Sequence, residues 1–407
     1  MSNKTIPESQ TQFLRFATPE KPFRFTSGMV MDDLTLAYET HGKLNEDKSN
    51  AILLFHALSG SQHAAGVCRH VPHTDDRWTE DCQQGWWSLF IGPGKALDTQ
   101  KFFVICANYL GGCYGSSGPA SLNPKTGRPY GPEFPQVSTA DVVRSQALLL
   151  DHFGIEKLHA VMGASVGGLL TLNFATLFPE RVRLVVSIAS GQRTTVLSRL
   201  GVFEQVMAIE NDPHFKGGNY YDSDPPAYGL ALARMISHKT FVHLDAIERR
   251  ARGDVIQRDD QLSWYRVGHN VESYMLHQGK KFVKRFDANT YLRICDMWLR
   301  FDRSKTRVSR TMGPSLPSAA GLVTTGWCSA STPTSASTRK NRPNWCAGWN
   351  RRTCPPCTSP CTRTRDTTHF SWSQSSTPLT SATRCDGVCS SMTLGITMPP
   401  VPASEPS

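Results

Sequence analysis

LHAVMGASVGGLLTLNFATLF, residues 158–178, decides the fold. Its first seven residues form a short apolar run of the kind that makes a strand buried on both faces of a parallel sheet. Its last thirteen read as a helix, stopped by Pro179. At the junction, Gly163-Ala164-Ser165-Val166-Gly167 matches the pattern G-x-S-x-G, and strand–turn–helix is the setting that pattern needs. A nucleophile in such a strained turn needs small neighbours, so that strand and helix can approach. Its hydroxyl then projects at a helix N-terminus, where the dipole and free N–H groups favour a developing oxyanion.

Working outward, residues 51–57 (AILLFHA), 101–108 (KFFVICAN) and 184–190 (LVVSIAS) are further short apolar runs and read as strands. Residues 140–153 (ADVVRSQALLLDHF) carry apolar positions at helical spacing, and Gly154 closes that helix. The alternation implies an open, mostly parallel α/β sheet. From about 191 to 300 helical stretches dominate, joined by connections such as Asn211-Asp212-Pro213 and Lys216-Gly217-Gly218-Asn219. This part is expected to be a helical lid inserted over the active edge of the sheet. The expected division is therefore a core over 1–190, a lid over 191–302, and a tail over 303–407.

The chain has 407 residues and a formal net charge of +10. That charge invites a nucleic-acid reading, but its distribution argues against one. Residues 303–407 hold 12 of the 44 Lys and Arg and 3 of the 34 Asp and Glu, leaving 32 basic and 31 acidic groups in the front. Cysteine divides similarly, with Cys68, Cys82, Cys106, Cys113 and Cys295 in the front and seven in the tail. The front cysteines are expected to be free thiols. Cys354, Cys357 and Cys361 lack a second pair at zinc spacing, so no metal is expected. No run of eighteen apolar residues suggests a membrane span, and Met1 to Glu20 lacks an apolar leader, so a soluble cytoplasmic protein is expected.

Ser165 is the candidate nucleophile. The oxyanion it creates needs two N–H donors, one from the residue after the nucleophile, Val166, and one from the loop after an earlier strand. Strand 51–55 runs into His56-Ala57-Leu58-Ser59-Gly60, which puts the second donor at Leu58. His56 itself reads as a structural, hydrogen-bonded residue, because the base of such a site follows its nucleophile in the chain.

Seven segments then occur in order: HALSGSQHAAG (56–66), WWSLFIGPGKALDT (86–99), ANYLGGCYGSSGP (107–119), GASVGG (163–168), AIENDPHFKGGNYY (208–221), GLALARMISHKT (229–240) and RFDANTYL (285–292). With them the chain resembles the homoserine O-acetyltransferase family over residues 30–302. The resemblance implies an α/β-hydrolase fold and a ping-pong acyl transfer. Ser165 would take an acetyl group from acetyl-CoA and pass it to the hydroxyl of homoserine, as in methionine biosynthesis. It implies that Arg234 contacts the substrate, a guanidinium suiting a carboxylate, and that Tyr220, Tyr221 and Asp212 line the pocket. It implies a homodimer built through the helical insertion, small-molecule substrates, and no bound cofactor, since CoA is a substrate. Transfer from succinyl-CoA, transfer onto serine, simple ester hydrolysis and an inactive remnant remain as alternatives.

The family's catalytic Asp and Gly-His-Asp segments should lie in the last quarter, and neither is present in the frame as written. After Asp302 the chain is rich in Ser and Thr without sustained periodicity, a composition expected to be non-native or disordered. His369 is the one His after His277, and it sits in Thr-Thr-His-Phe-Ser. A frame shifted by one base lets Arg365–Ser373 be read as Gly-His-Asp-Ala-Leu-Leu-Leu-Glu, within codon degeneracy. The same shift reads Ser331–Lys340 as Asp-Thr-Asp-Val-Gly-Val-Tyr-Pro-Glu. A frameshift near Asp302–Ser304 is therefore expected, with the tail's basic charge and cysteines as its by-products.

Overall fold

Ala51–Phe55 (β5) and Phe103–Ala107 (β6) are buried at all ten positions, as strands covered on both faces must be. They pair in parallel at the centre of a seven-stranded sheet in a computed structural model that describes residues 8–252, 264–302 and 321–325. The other strands are β1 (Gln12–Ala17), β4 (Leu34–His41), β7 (Leu158–Ala164), β8 (Val182–Ile188) and β9 (Gly321–Thr325), while β2 (Phe23–Arg24) and β3 (Val30–Met31) form a small hairpin. The sheet order is β1-β4-β6-β5-β7-β8-β9. Pairing is antiparallel for β1–β4 and β4–β6 and parallel from β6 through β9.

The expected strands lie within two residues of their observed bounds. The last apolar run forms its strand two residues early and stops at Ile188, because Ala189 turns to φ 50°. Helix α1 (Thr139–His152) follows a capping box of Ser138 and Asp141. It ends in a Schellman turn, in which Gly154 at φ +65° donates to Asp151 O and Ile155 donates to Leu150 O. Helix α2 (Val166–Leu177) packs on β7 and β8, beside α1.

The inserted part is helical, as expected: α3 (Val196–Glu210), α4 (Ala227–Phe241), α5 (Leu244–Ala251), α6 (Asn270–Val283) and α7 (Ala288–Arg300). No helix among the described residues is long and apolar enough to cross a membrane. The expectation of a tail without native structure meets one exception. Gly321–Thr325 is strand β9, in parallel register with β8 from Leu184↔Gly321 to Ile188↔Thr325. The exposed edge of β8 offers a ladder of unpaired peptide groups, and the Leu-Val-Thr-Thr run has the β-branched composition that pairs there. The remaining expectations for 303–407, including the shifted-frame segments and His369, lie outside the described residues.

Asp141 ties the N-terminal region to α1. Its carboxylate is fully buried and accepts from Thr26 N and Oγ1 (both 2.8 Å), Ser138 N (2.9 Å) and Ser138 Oγ (2.7 Å). Asp141→Ala leaves these donors without a partner and should lower stability by about 3 kcal/mol in urea unfolding. Asp151→Ala, which removes a half-exposed ion pair with Arg181, should cost less than about 1 kcal/mol.

Candidate active site

Ser165 sits between β7 and α2 at φ 55°, ψ −122°, a conformation that costs a non-glycine residue energy and survives only where its surroundings enforce it. Those surroundings are close packed. A Cβ on Gly163 would lie 2.5 Å from the Gly167 carbonyl carbon, and one on Gly167 would lie 2.3 Å from Phe55 O and 2.6 Å from His56 O. Both glycines are therefore required by the approach of α2 to the end of β5. Ser165 N–H donates to Ile188 O (3.0 Å), and Ser190 Oγ donates to Ser165 O. The Ser165 side chain is partly exposed.

The Val166 N–H is the first of α2 and has no partner within the helix. The Leu58 N–H has no acceptor among the described residues. Its direction follows from peptide planarity, because Leu58 N–H and Ala57 C=O belong to one trans unit and point oppositely. Ala57 O is held by His56 Nδ1 (2.7 Å) and Gly60 N–H (3.0 Å). His56 is the structural residue expected. It is 1% exposed, stacks on Tyr109 at 3.6 Å, and faces Asn108 Nδ2 through Nε2 (3.4 Å). Burial pushes its imidazole down to about 4, only partly opposed by the Ala57 hydrogen bond, so it is neutral at ordinary pH.

A cavity of about 400 Å³ opens beside this loop, with Ala57, Ser59, Trp86, Tyr114, Arg234 and Arg285 among its lining residues. Arg234, on α4, reaches Ser59 Oγ at 3.5 Å and stacks on Phe241 (5.0 Å) and Phe282 (4.9 Å). Burial, with the nearby Arg285 charge, pushes its guanidinium down to about 10. Arg285 donates to Ser59 O and Tyr114 Oη (both 3.2 Å) and stacks on the same Phe282 at 5.0 Å. RFDANTYL contains Arg285, but nothing in its spacing announces that it meets Arg234.

The three residues expected to line the pocket do other work, and the wall of this cavity does not include them. Tyr220 is buried, donates to Asp287 Oδ1 (2.6 Å) and accepts from Asn289 N–H (3.0 Å). Tyr221 stacks on it at 4.7 Å and donates to Asp287 Oδ2 (3.2 Å). Asp212 accepts from His214 N–H (2.9 Å) and Gly229 N–H (2.7 Å), which joins the end of α3 to the start of α4. These groups need partners because they are buried, and they find them in the insertion itself.

Sequence reasoning missed a buried pair at the cavity. His63 Nδ1 faces Glu39 Oε2 at 2.8 Å, its Nε2 donates to Gln83 O (2.9 Å), and Thr11 Oγ1 donates to Glu39 Oε1 (2.8 Å). Cys68, Cys82, Cys106, Cys113 and Cys295 are free thiols, and no cluster of three or more His, Cys, Asp or Glu suited to a metal occurs among the described residues. No side chain among the described residues hydrogen-bonds the Ser165 hydroxyl.

Burial pushes the Glu39 carboxyl up, but hydrogen bonds and charge from His63, with help from Thr11, outweigh burial and hold it below the usual carboxylate range. A carboxyl lowered in the folded state adds stability above its unfolded pKa, about 4.3. That stability is lost as pH falls from there through the folded value. Urea midpoints measured from pH 6 downward should fall less steeply in Glu39→Gln than in the parent; parallel curves would refute the assignment.

The chain is similar to known proteins over most of its described length. The α/β hydrolase fold family matches residues 50–321. A homoserine O-acetyltransferase of Solidesulfovibrio magneticus is 42% identical over 297 residues, 72% of each chain. A homoserine O-succinyltransferase of Halorhodospira halophila is 46% identical over 278 residues, 68% of this chain and 70% of that one. Among solved structures, esterase E22 superposes with a TM-score of 0.63 at 28% identity, covering 73% of this chain and 79% of its own. A homoserine O-acetyltransferase from Bacillus anthracis superposes at 0.60 and 30%, covering 72% and 76%. By these matches the chain belongs to the homoserine O-acyltransferase family of the α/β-hydrolase fold.

Proposed function

We propose that this fold moves an acyl group from a CoA thioester to the side-chain hydroxyl of homoserine, through an acyl-enzyme on Ser165. The observation that carries the reading is Arg234, a part-buried guanidinium with an unpartnered Nε and no carboxylate partner among the described residues, at a cavity beside the loop after β5. Its role is to hold the acceptor's carboxylate. Ser165 Oγ attacks the thioester carbon, the C–S bond breaks, and the serine proton leaves on the CoA thiol. The homoserine hydroxyl then attacks the ester and returns its proton to Ser165. In both steps the carbonyl oxygen's charge rests on the Leu58 and Val166 N–H groups. Acetyl-CoA, the donor implied by the seven segments, and succinyl-CoA both fit this chemistry.

The proton transfers need a base, and the shifted reading of the tail supplies the His and Asp that the written frame lacks. The 407-residue chain as written should therefore turn over at least ~1,000-fold more slowly than the same gene with one base restored near codons 302–304. Release of CoA thiol measures this. In the restored frame release should require homoserine and vanish in Ser165→Ala. Equal rates in the two frames would overturn the impairment, and release independent of homoserine would favour the esterase reading suggested by the likeness to esterase E22.

The homodimer belongs to the same proposal. On α3, Val196 (76% exposed), Leu200, Phe203 (both 55%) and Met207 recur at helical spacing and face solvent. A contiguous apolar stripe of this kind marks an association surface. Light scattering should give a dimer that Leu200→Asp with Phe203→Asp converts to a monomer; a monomeric parent at micromolar concentration would refute it.

A further inference from the structure

Both backbone polar groups of Ser165 are held from one place, the end of β8. Its N–H donates to Ile188 O (3.0 Å), and its carbonyl oxygen accepts from Ser190 Oγ. A turn between those two partners makes this possible. Strand β8 ends at Ile188, and Ala189 takes φ 50°, a left-handed conformation that costs a non-glycine residue energy. Ser190 then lies against the first turn of α2. A Cβ on Gly168 would be 2.7 Å from Ser190 Cβ, so only a bare peptide fits beneath it.

The Ser165 carbonyl shares a peptide unit with the Val166 N–H, and none of the described peptide bonds is cis. In a planar trans unit the two groups point oppositely, so a hydroxyl fixed on the carbonyl fixes the direction of the N–H. Helix α2 holds the same oxygen through Gly168 N–H (2.9 Å) and Leu169 N–H (3.2 Å), and Ser190 supplies a donor from outside the helix. A hydrogen bond accepted at the carbonyl also polarises the peptide and makes its N–H a stronger donor. The arrangement matches the one behind Leu58 N–H, where Ala57 O is held by His56 Nδ1 and Gly60 N–H. The neighbouring hydroxyl on β8 is a natural contrast. Ser187 Oγ donates to Gly168 O (3.2 Å), but the N–H of that peptide, Leu169 N–H, is already bonded to Ser165 O.

We infer that Ser190 is a positioning residue, whose hydroxyl aims and polarises the Val166 N–H toward the oxyanion formed at Ser165. That role rests on Ser165 being the acylated nucleophile of the reading above, whatever the acyl donor and acceptor. The oxyanion exists only on the way into and out of the acyl-enzyme. Loss of the hydroxyl therefore slows acylation and leaves ground-state binding alone.

Two measurements test this. Ser165-Val166 is the one Ser-Val pair in the sequence, so serine labelled at its carbonyl carbon and valine labelled at its amide nitrogen give this peptide unit its own NMR signal in the 407-residue chain. Ser190→Ala should move the carbonyl resonance upfield, and Ser187→Ala should leave it in place. An unmoved resonance in Ser190→Ala would overturn the inference. The second measurement uses the chain with its frame restored and p-nitrophenyl acetate, whose first turnover needs Ser165 but neither CoA nor homoserine. Ser190→Ala should lower the saturating rate of p-nitrophenolate release about 10-fold, less than the ~100-fold or more for deleting an oxyanion donor outright, with the half-saturating concentration unchanged. Ser187→Ala should stay within about 2-fold of the parent. Equal losses in the two variants, or a loss carried by the half-saturating concentration, would mark a purely structural role and overturn the inference. Release that requires Ser165, with no transfer from a CoA thioester to homoserine, would sink the transferase reading and leave this one standing. Release indifferent to Ser165→Ala would sink both.

Discussion

The close approach of α2 to the end of β5 is the constraint on which the site depends. Phe55 O and His56 O lie where a side chain on Gly167 would have to be, and Gly163 is confined by the same turn. This contact does two things at once. It forces Ser165 into a left-handed conformation that holds its side chain at the sheet edge. It also brings the first free N–H of α2 beside the loop that follows β5. Neither glycine tolerates a β-carbon without a shift of strand or helix, so Ser165 and the loop after β5 are positioned by one piece of packing.

The direction of the Leu58 N–H is set by hydrogen bonds rather than contact. The Ala57–Leu58 peptide is planar, and its carbonyl is held from the far side by His56 and Gly60. His56 in turn lies flat on Tyr109, whose hydroxyl donates to His56 O. A neutral imidazole is the form this arrangement needs, since Nδ1 must donate to a carbonyl while Nε2 accepts from Asn108. The low-dielectric surroundings that keep it neutral also strengthen the hydrogen bonds it makes. Preorganisation of this kind costs nothing at the moment of reaction, which is why it contributes to rate.

Strands β5 to β8, α1, the elbow and the helical character of the insertion were legible in the sequence, because each rests on local pattern: apolar runs, a 3.6 period, or glycines at a fixed offset; β1 to β4 were not. The side-chain partners were not. Tyr220 and Asp212 stand in a segment shared with the family, yet their hydrogen bonds go to Asp287, Asn289 and Gly229, between 17 and 69 positions away in the chain. Glu39 and His63 are 24 positions apart, and Ser59 and Arg285 are 226 apart. Periodicity carries no information about such pairs; they exist only once β4, the β5 loop and α6 have been brought together. Strand β9 is the opposite case, a segment whose composition argues for disorder but whose five residues complete a sheet edge.

The core that holds the site is independent of the chemistry that would use it. The buried hydrophobic clusters draw on residues between Phe16 and Phe301, and every lining residue of the cavity lies at or before Arg285. Ser165, the Leu58 and Val166 N–H groups and the two guanidiniums without a carboxylate partner among the described residues therefore assemble from the stretch before Asp302. A base to activate Ser165 is the one requirement not met within it. A break of frame near Asp302 would thus leave the cavity and its guanidiniums in place and remove the proton transfers that the proposed acyl transfer needs.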